Sequence, residues 1–309
     1  MQSYPYLSDV IFALTGYRVP LPFATFGLLV GIAALVAAAC FSAELRRLHG
    51  AGRIGRVRKM ARVAGNKIAA DVAPQEIVSD MVILVMVLGV IGARLFHILE
   101  HSDEFMADPA AMIFNRSGLS VFGGLIFGTL GGIAFVRRYK LPPRLLMDAI
   151  APALMLGYAI GRIGCQVAGD GDWGIASNLA LKPAWLPGWL WAQTYDNNIF
   201  GAIIAAPGVY PTPVYETAMA ALCFAVLWAL RRHPFQAGWL FSLYLLLAGV
   251  ERLLVEQIRV NPVLQIGFIH GTQAEMIAVA LIAAGAAGLA LLTRRSGAAP
   301  LPGITQAQE

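Results

Sequence analysis

Arg94, Arg162 and Arg252 stand inside stretches that are otherwise apolar, and Glu216, Glu251 and Glu256 stand in or beside such stretches. Ionised side chains are costly in hydrocarbon, so each asks for a reason. A guanidinium presents a planar fork of N–H donors that fits a phosphate or a carboxylate. One chemistry is recognition of an anionic lipid headgroup, with nearby carboxylates moving protons. The other is structural: ion pairs among these residues, or long stems that snorkel to the interface. For any one residue the two stand level; for all of them at one depth the headgroup reading is favoured. His97 and His101, spaced i, i+4, with Asp103 nearby, offer a substitute base or a metal pair against the plainer reading of a wet helix face. Cys40, Cys165 and Cys223 lie far apart and show no CxxC or Cys/His ligand spacing, so no disulfide framework and no metal site is expected. Cys165 is a covalent acceptor in principle, and a buried single cysteine is usually a small packing residue.

The elements that must hold these residues follow from composition. The chain has 309 residues, 58% hydrophobic and only 13% charged, against about 25% charged in soluble domains. That excludes a soluble enzyme, a disordered chain and a nucleic-acid binder. The fold class expected is all-α, a polytopic membrane protein. Spans of about 20 residues fall at 22–42, 77–99, 117–136, 145–165, 213–230, 237–255 and 274–292. No basic n-region precedes the first, so it reads as a span and not a signal peptide.

The basic residues orient the spans. Arg46, Arg47, Arg53, Arg56, Arg58, Lys59, Arg62 and Lys67 fill one connection, and Arg137, Arg138, Lys140 and Arg144 another. Arg231 and Arg232 mark a third, and Arg294 and Arg295 follow the last span. These are sixteen of the 23 Lys and Arg, which accounts for the high pI. Seven spans then place the N-terminus in the periplasm and the C-terminus in the cytoplasm. Residues 1–295 are expected to form one membrane domain and 296–309 a disordered cytoplasmic tail. Residues 166–212, rich in Trp, form a small periplasmic head, and residues 1–20 resemble interfacial structure.

Depth follows from a rise of about 1.5 Å per residue. Arg162 and Arg252 come late in outward-running spans, roughly 25 and 23 Å up, and Arg94 is similarly late in the second. Ser120, Gly123, Gly124, Tyr215 and Glu216 lie near the outer starts of inward-running spans. Gly124, Gly128 and Gly132 repeat at GxxxG spacing, as do Gly157 and Gly161, which suits close helix packing. A lipid lying against Gly123 and Gly124 is the lesser alternative.

The stretch Gly161-Arg162-Ile163-Gly164-Cys165-Gln166-Val167-Ala168-Gly169-Asp170-Gly171-Asp172-Trp173-Gly174 resembles the signature of the bacterial prolipoprotein diacylglyceryl transferases. Further stretches fall in the family's order: Gly92-Ala93-Arg94-Leu95, Gly118-Leu119-Ser120-Val121-Phe122-Gly123-Gly124, Pro211-Thr212-Pro213-Val214-Tyr215-Glu216, Glu251-Arg252 through Glu256 to Arg259, and Thr272-Gln273. The resemblance covers residues 20 to 292 and implies seven spans with the N-terminus outside. It implies transfer of the diacylglyceryl group of phosphatidylglycerol to the lipobox cysteine of a preprolipoprotein signal peptide, releasing glycerol-1-phosphate, in the bacterial inner membrane.

Carried over by position, Arg162 and Arg252 are the phosphate-binding arginines, with Asp170 and Glu216 as catalytic carboxylates. Arg94, Ser120, Gly123, Gly124, Cys165, Gly174, Tyr215, Glu251, Glu256 and Arg259 are expected to line the substrate site. No metal or organic cofactor is implied. Phosphatidylglycerol, the preprolipoprotein and membrane lipids are the partners, with no nucleic acid, and the chain is expected to be a monomer. Several positions depart from the family pattern. Phe122 stands where the family has His, Cys165 and Ala168 where it has Asn, and Phe26 and Ala248 where it has Tyr. Phenylalanine cannot accept a proton, so a His-based mechanism is excluded for this chain. Asp170, Glu216 or Glu251 would take the thiol proton, or the arginines alone would activate the thiol. The departures also leave a second reading, a family member that binds anionic phospholipid or assists lipoprotein assembly without transfer. A transporter of an anionic solute is the third, opposed by the lack of inverted repeats.

Overall fold

The computed structural model describes residues 2–21, 23–63, 66–114, 120–266 and 269–294. The expected tail, 296–309, and the motif residues Gly118 and Leu119 lie outside them. Helices dominate, in the order α1 (Leu7–Thr15), α2 (Thr25–Gly50), α3 (Val78–Glu100), α4 (Ser102–Ala107), α5 (Pro109–Phe114), α6 (Val121–Arg138), α7 (Pro143–Ala168), α8 (Thr212–Leu230), α9 (Trp239–Glu256) and α10 (Gln273–Leu292). Two antiparallel hairpins interrupt them: β1 (Val57–Val63) with β2 (Asn66–Val72), and β3 (Val263–Ile266) with β4 (Ile269–Thr272). The all-α expectation contained neither. The first occupies the basic connection, where the charges read only as topology markers.

Six helices are long and apolar enough to cross a membrane: α2, α3 with the 3-10 turn Pro74–Ile77 before it, α6, α7, α8 and α10. The chain is a polytopic membrane protein. α9 has the same 18 residues as α6, but Glu251, Arg252 and Glu256 fall within it. The spans expected from hydropathy coincide with these seven helices to within a few residues, apart from the far end of α2. That helix runs to Gly50 because Phe41, Leu45 and Leu48 continue its helical spacing and are buried.

Contacts divide the chain into two units, one of residues 1–40 and 147–309, the other of residues 41–146. In the second, α3 and α6 meet backbone to backbone. A Cβ on Gly92 would strike the Gly123 carbonyl, and one on Gly123 would strike that of Gly92. Gly131 receives Leu88, and Gly128 faces Val85. Small residues admit this approach, and dispersion between close backbones holds it. Ser120 precedes α6 and donates its N–H to Ala93 at 3.0 Å and its hydroxyl to Glu100 at 2.9 Å.

In the first unit, Met155, Ala159, Ala220, Leu227 and Leu240 build a core from α7, α8 and α9. Gly249 packs against Ala278 of α10, and Gly285 against Ser242 and Leu246 of α9. Asp148, a charge inside α7, caps a different helix. Its carboxylate accepts the N–H of Gly238 at 2.7 Å and of Phe241 at 2.9 Å, satisfying free donors at the start of α9. The N-terminal segment docks on the head, with Ser3 N–H to Asp196 at 2.6 Å and Tyr4 N–H to Val167 at 2.7 Å. Of the glycine pair expected to pack in α7, Gly157 does so against Ala37. Around Gly161 no atom of the described residues lies within 4 Å of an added Cβ, a correction to its packing role.

Candidate functional site

α7 ends where Gly169 takes φ +62°, a conformation that costs glycine little. The chain turns back there, and Asp170 and Asp172 lie over the last turns of α7. Asp172 reaches Arg162 with one carboxylate oxygen and Arg259 with the other. The Thr212 hydroxyl, at the start of α8, donates to the Asp172 carbonyl.

Glu216, one turn into α8, is wholly buried. Arg162 Nε lies 3.2 Å from its Oε2, while Arg259 and Arg252 approach Oε1 at 3.4 and 3.7 Å. Arg252 also pairs with Glu256 at 2.9 Å, one turn on. Glu256 is fixed in turn by Asn261 at 2.7 Å and Thr272 at 2.5 Å. The Tyr158 ring stacks on the Arg162 guanidinium at 5.0 Å, and its hydroxyl lies near Glu216 and Glu251. Arginines from two helices and a following turn thus share one buried carboxylate. Arg252 is the most open of them, its side chain 24% exposed against 15% for Arg162 and 11% for Arg259.

Gly174 touches none of the arginines through a side chain; its value is closeness. It bridges to Arg259, its N–H bonds Tyr210 at 2.8 Å, and a Cβ would meet the Ile258 carbonyl. That contact positions the Arg259 backbone against the head. Tyr215 donates to the Leu190 carbonyl at 2.5 Å, tying α8 to the head. Cys165 is buried with its sulfur 3.7 Å from Arg162 Nη1.

In the head, the electrostatics separate two neighbouring carboxylates. Burial acts to raise the pKa of Asp172, but Arg162 and Arg259 outweigh it and hold the group below the usual range. Asp170 is pushed up, chiefly by burial and then by the Asp172 charge. Burial opposes the charge of Arg259, yet Asp172 and Glu216 keep its pKa raised. Asp172 is therefore a fixed anion and Asp170 the more basic neighbour.

Of the residues expected from sequence, the structure gathers Arg162, Arg252, Arg259, Glu216, Glu251, Glu256, Asp170 and Cys165. Arg94, Ser120, Gly123 and Gly124 belong to the other unit, where Arg94 is half-buried on α3 and Gly123 is committed to the contact with Gly92. Sequence reasoning missed Asp172 and Tyr158. The signals were present: Tyr158 lies one helical turn before Arg162, and Asp172 follows a glycine turn that returns the chain to it.

The family model for prolipoprotein diacylglyceryl transferase matches residues 13–291. A phosphatidylglycerol–prolipoprotein diacylglyceryl transferase of Leptospira interrogans is 31% identical over 209 residues, 59% of this chain and 62% of the relative. One of the same description from Corynebacterium glutamicum is 30% identical over 250 residues, 76% of this chain and 75% of the relative. The match to the Leptospira relative thus spans 62% of that protein's length. Across nearly its whole length, then, this chain belongs to the prolipoprotein diacylglyceryl transferase family.

Proposed function

We propose that the protein transfers the diacylglyceryl group of phosphatidylglycerol to the lipobox cysteine thiol of a preprolipoprotein signal peptide, the first step of lipoprotein maturation. The observation that carries this reading is the convergence of Arg162, Arg252 and Arg259 on Glu216. On this reading α2, α3, α6, α7, α8, α9 and α10 all span the inner membrane, the N-terminus is periplasmic, and both units serve one membrane domain. The alternation of basic connections supports that orientation. The three charges that set α9 apart from the other helices are then site residues. The relatives, phosphatidylglycerol–prolipoprotein diacylglyceryl transferases, suggest the donor and the acceptor class.

The chemistry has three demands. Negative charge grows on the departing phosphate ester, and preorganised guanidinium groups stabilise it. An arginine has five N–H donors, so one that is paired end-on retains donors for a phosphate oxygen. Arg252, the most exposed, is suited to meet the headgroup first, with Arg162 deeper. The acceptor thiol must lose its proton. A carboxylate of the cluster takes it, since residue 122 is Phe. Glycerol-1-phosphate then leaves as the S–C bond forms and the C–O bond breaks.

The test uses purified protein in phosphatidylglycerol vesicles with a lipobox peptide, reading the thioether product by mass. Wild type is expected to give it, and Arg162→Ala to lose about 10²–10³-fold in turnover, the usual effect of removing one transition-state donor. Full activity in the variant would sink the assignment. Rescue of a strain lacking its own transferase separates this reading from a binding-only role.

A further inference from the structure

Tyr158 poses a question of donor count. Its hydroxyl oxygen lies 3.2 Å from Glu216 Oε1 and 3.3 Å from Glu251 Oε1. A hydroxyl carries one proton and donates to one acceptor at a time. If both glutamates were ionised, one carboxylate oxygen would face a lone pair. Both side chains are buried, where facing lone pairs repel strongly, even though Arg259 also donates to Glu216 Oε1 at 3.4 Å. The charges point the same way. The carboxylates paired with Arg162, Arg252 and Arg259 or bonded to Tyr158 are Asp172, Glu216, Glu251 and Glu256, four negative groups against three positive, Asp170 standing outside these pairs beside Asp172. One proton shared along Glu216, Tyr158 and Glu251 removes the excess charge and makes the hydroxyl donor on one side and acceptor on the other.

The two ends differ. All three arginines lie within 3.7 Å of Glu216. Among the described residues no guanidinium pairs with Glu251 within 4.0 Å, although Arg162 and Arg252 act on its charge from farther off, as Cys223 and Tyr244 do. The resting proton therefore sits at the Glu251 end.

We propose that Glu251, Tyr158 and Glu216 form a proton relay that carries the acceptor's thiol proton to the departing phosphate. It rests on the transferase reading and assigns the base which that reading leaves open. An anionic headgroup arriving on the arginines competes with Glu216 for them. The proton then shifts from Glu251 to the Tyr158 oxygen, and the tyrosine's own proton passes to Glu216. Glu251, now ionised, takes the thiol proton as sulfur attacks the glyceryl carbon. The C–O bond breaks with its electron pair on the phosphate oxygen, and the Glu216 proton goes to that leaving group. Glu251 ends protonated and Glu216 ionised, as at the start. One S–C bond forms, one C–O bond breaks, and one proton moves from sulfur to phosphate.

The experiment compares wild type, Glu251→Gln, Tyr158→Phe and the double variant in phosphatidylglycerol vesicles with a lipobox peptide. Loss of a general acid or base costs about 10²–10⁴-fold. Each single variant is expected to lose kcat within that range while KM stays near wild type. The double variant should be no worse than either single one, because each breaks the same path, and Glu251→Asp should recover part of the loss. Infrared spectra of the resting protein add a readout that needs no turnover: a protonated-carboxyl stretch present in wild type and missing in Glu251→Gln. Near-wild-type kcat in either single variant, losses that multiply in the double, or no such stretch each overturn the relay. A wild type that makes no thioether but keeps the stretch overturns the transferase reading, and leaves the shared proton as a static charge balance.

Discussion

The α3–α6 pair and the α7–α8–α9 group solve the same problem, helix association without a hydrophobic drive, by opposite means. α3 and α6 lose side chains to meet, with Gly92 and Gly123 placing backbone on backbone. α7, α8 and α9 keep long charged side chains and link through Arg162, Glu216 and Arg252. The first interface is fixed by shape and fails when volume is added. The second is fixed by complementary charge and fails when one partner is removed, because the other is left buried and unpaired. Shape suits a scaffold, whereas buried charge suits a place where an anion must exchange with a carboxylate.

The contrast can be broken from either side. The largest effect is expected from Arg252→Ala, which takes a donor from the charged interface: turnover falls about 10²–10³-fold, and the thermal midpoint drops as well because buried Glu216 and Glu256 each lose a partner. Equal turnover would show that Arg252 only ties α9 in place. Gly92→Leu should separate the two readouts. Overpacking costs about 1–3 kcal/mol, read as a lower thermal midpoint, with turnover well below that midpoint nearly unchanged; an unshifted midpoint would refute the close contact.

The next effect is a pH dependence. The Asp172 carboxyl is held below its ordinary value, so its stabilisation is fully present above about 3.9, the unfolded value, and is lost as pH falls through the depressed one. The midpoint gap between wild type and Asp172→Asn should therefore narrow on acidification; a gap that widens has the wrong sign. The smallest effect belongs to Gly161→Ala. The space is open, and removing a glycine from a helix interior gains about 0.5–1 kcal/mol. A clear loss of stability would restore Gly161 to the packing role that its spacing suggested.

The long helices were legible because hydropathy and helix period agree within them, and α9 was legible as a helix despite its charges. The hairpin at Val57–Val72 did not. Its lysines and arginines read as topology markers, and that reading masked their place in paired strands. Arg162, Arg252, Glu216 and Glu256 were legible as charges where charge is costly. Asp172 was not, because it lies in a loop where a carboxylate needs no excuse. Its role depends on the turn at Gly169, which the glycines hint at and whose direction the backbone reveals. Tyr158 was hidden for a different reason: a tyrosine in a span reads as an amphipathic filler until its hydroxyl is seen between two carboxylates. Gly161 marks the converse error, since GxxxG spacing states which residues share a face but not whether a neighbour is there.

Asp148 has a mechanical consequence. It pins the start of α9 to α7, while Tyr158 and Glu251 join the same two helices further along. Two attachments on one pair of rods remove both sliding and scissoring. A bilayer too thick or too thin is accommodated by tilting helices, and on the proposed reading, with α9 spanning beside α7, the two would tilt together. The gap between Arg162 and Arg252 then behaves as the jaw of a caliper, set by protein covalent and polar links and independent of the thickness of the lipid that surrounds it.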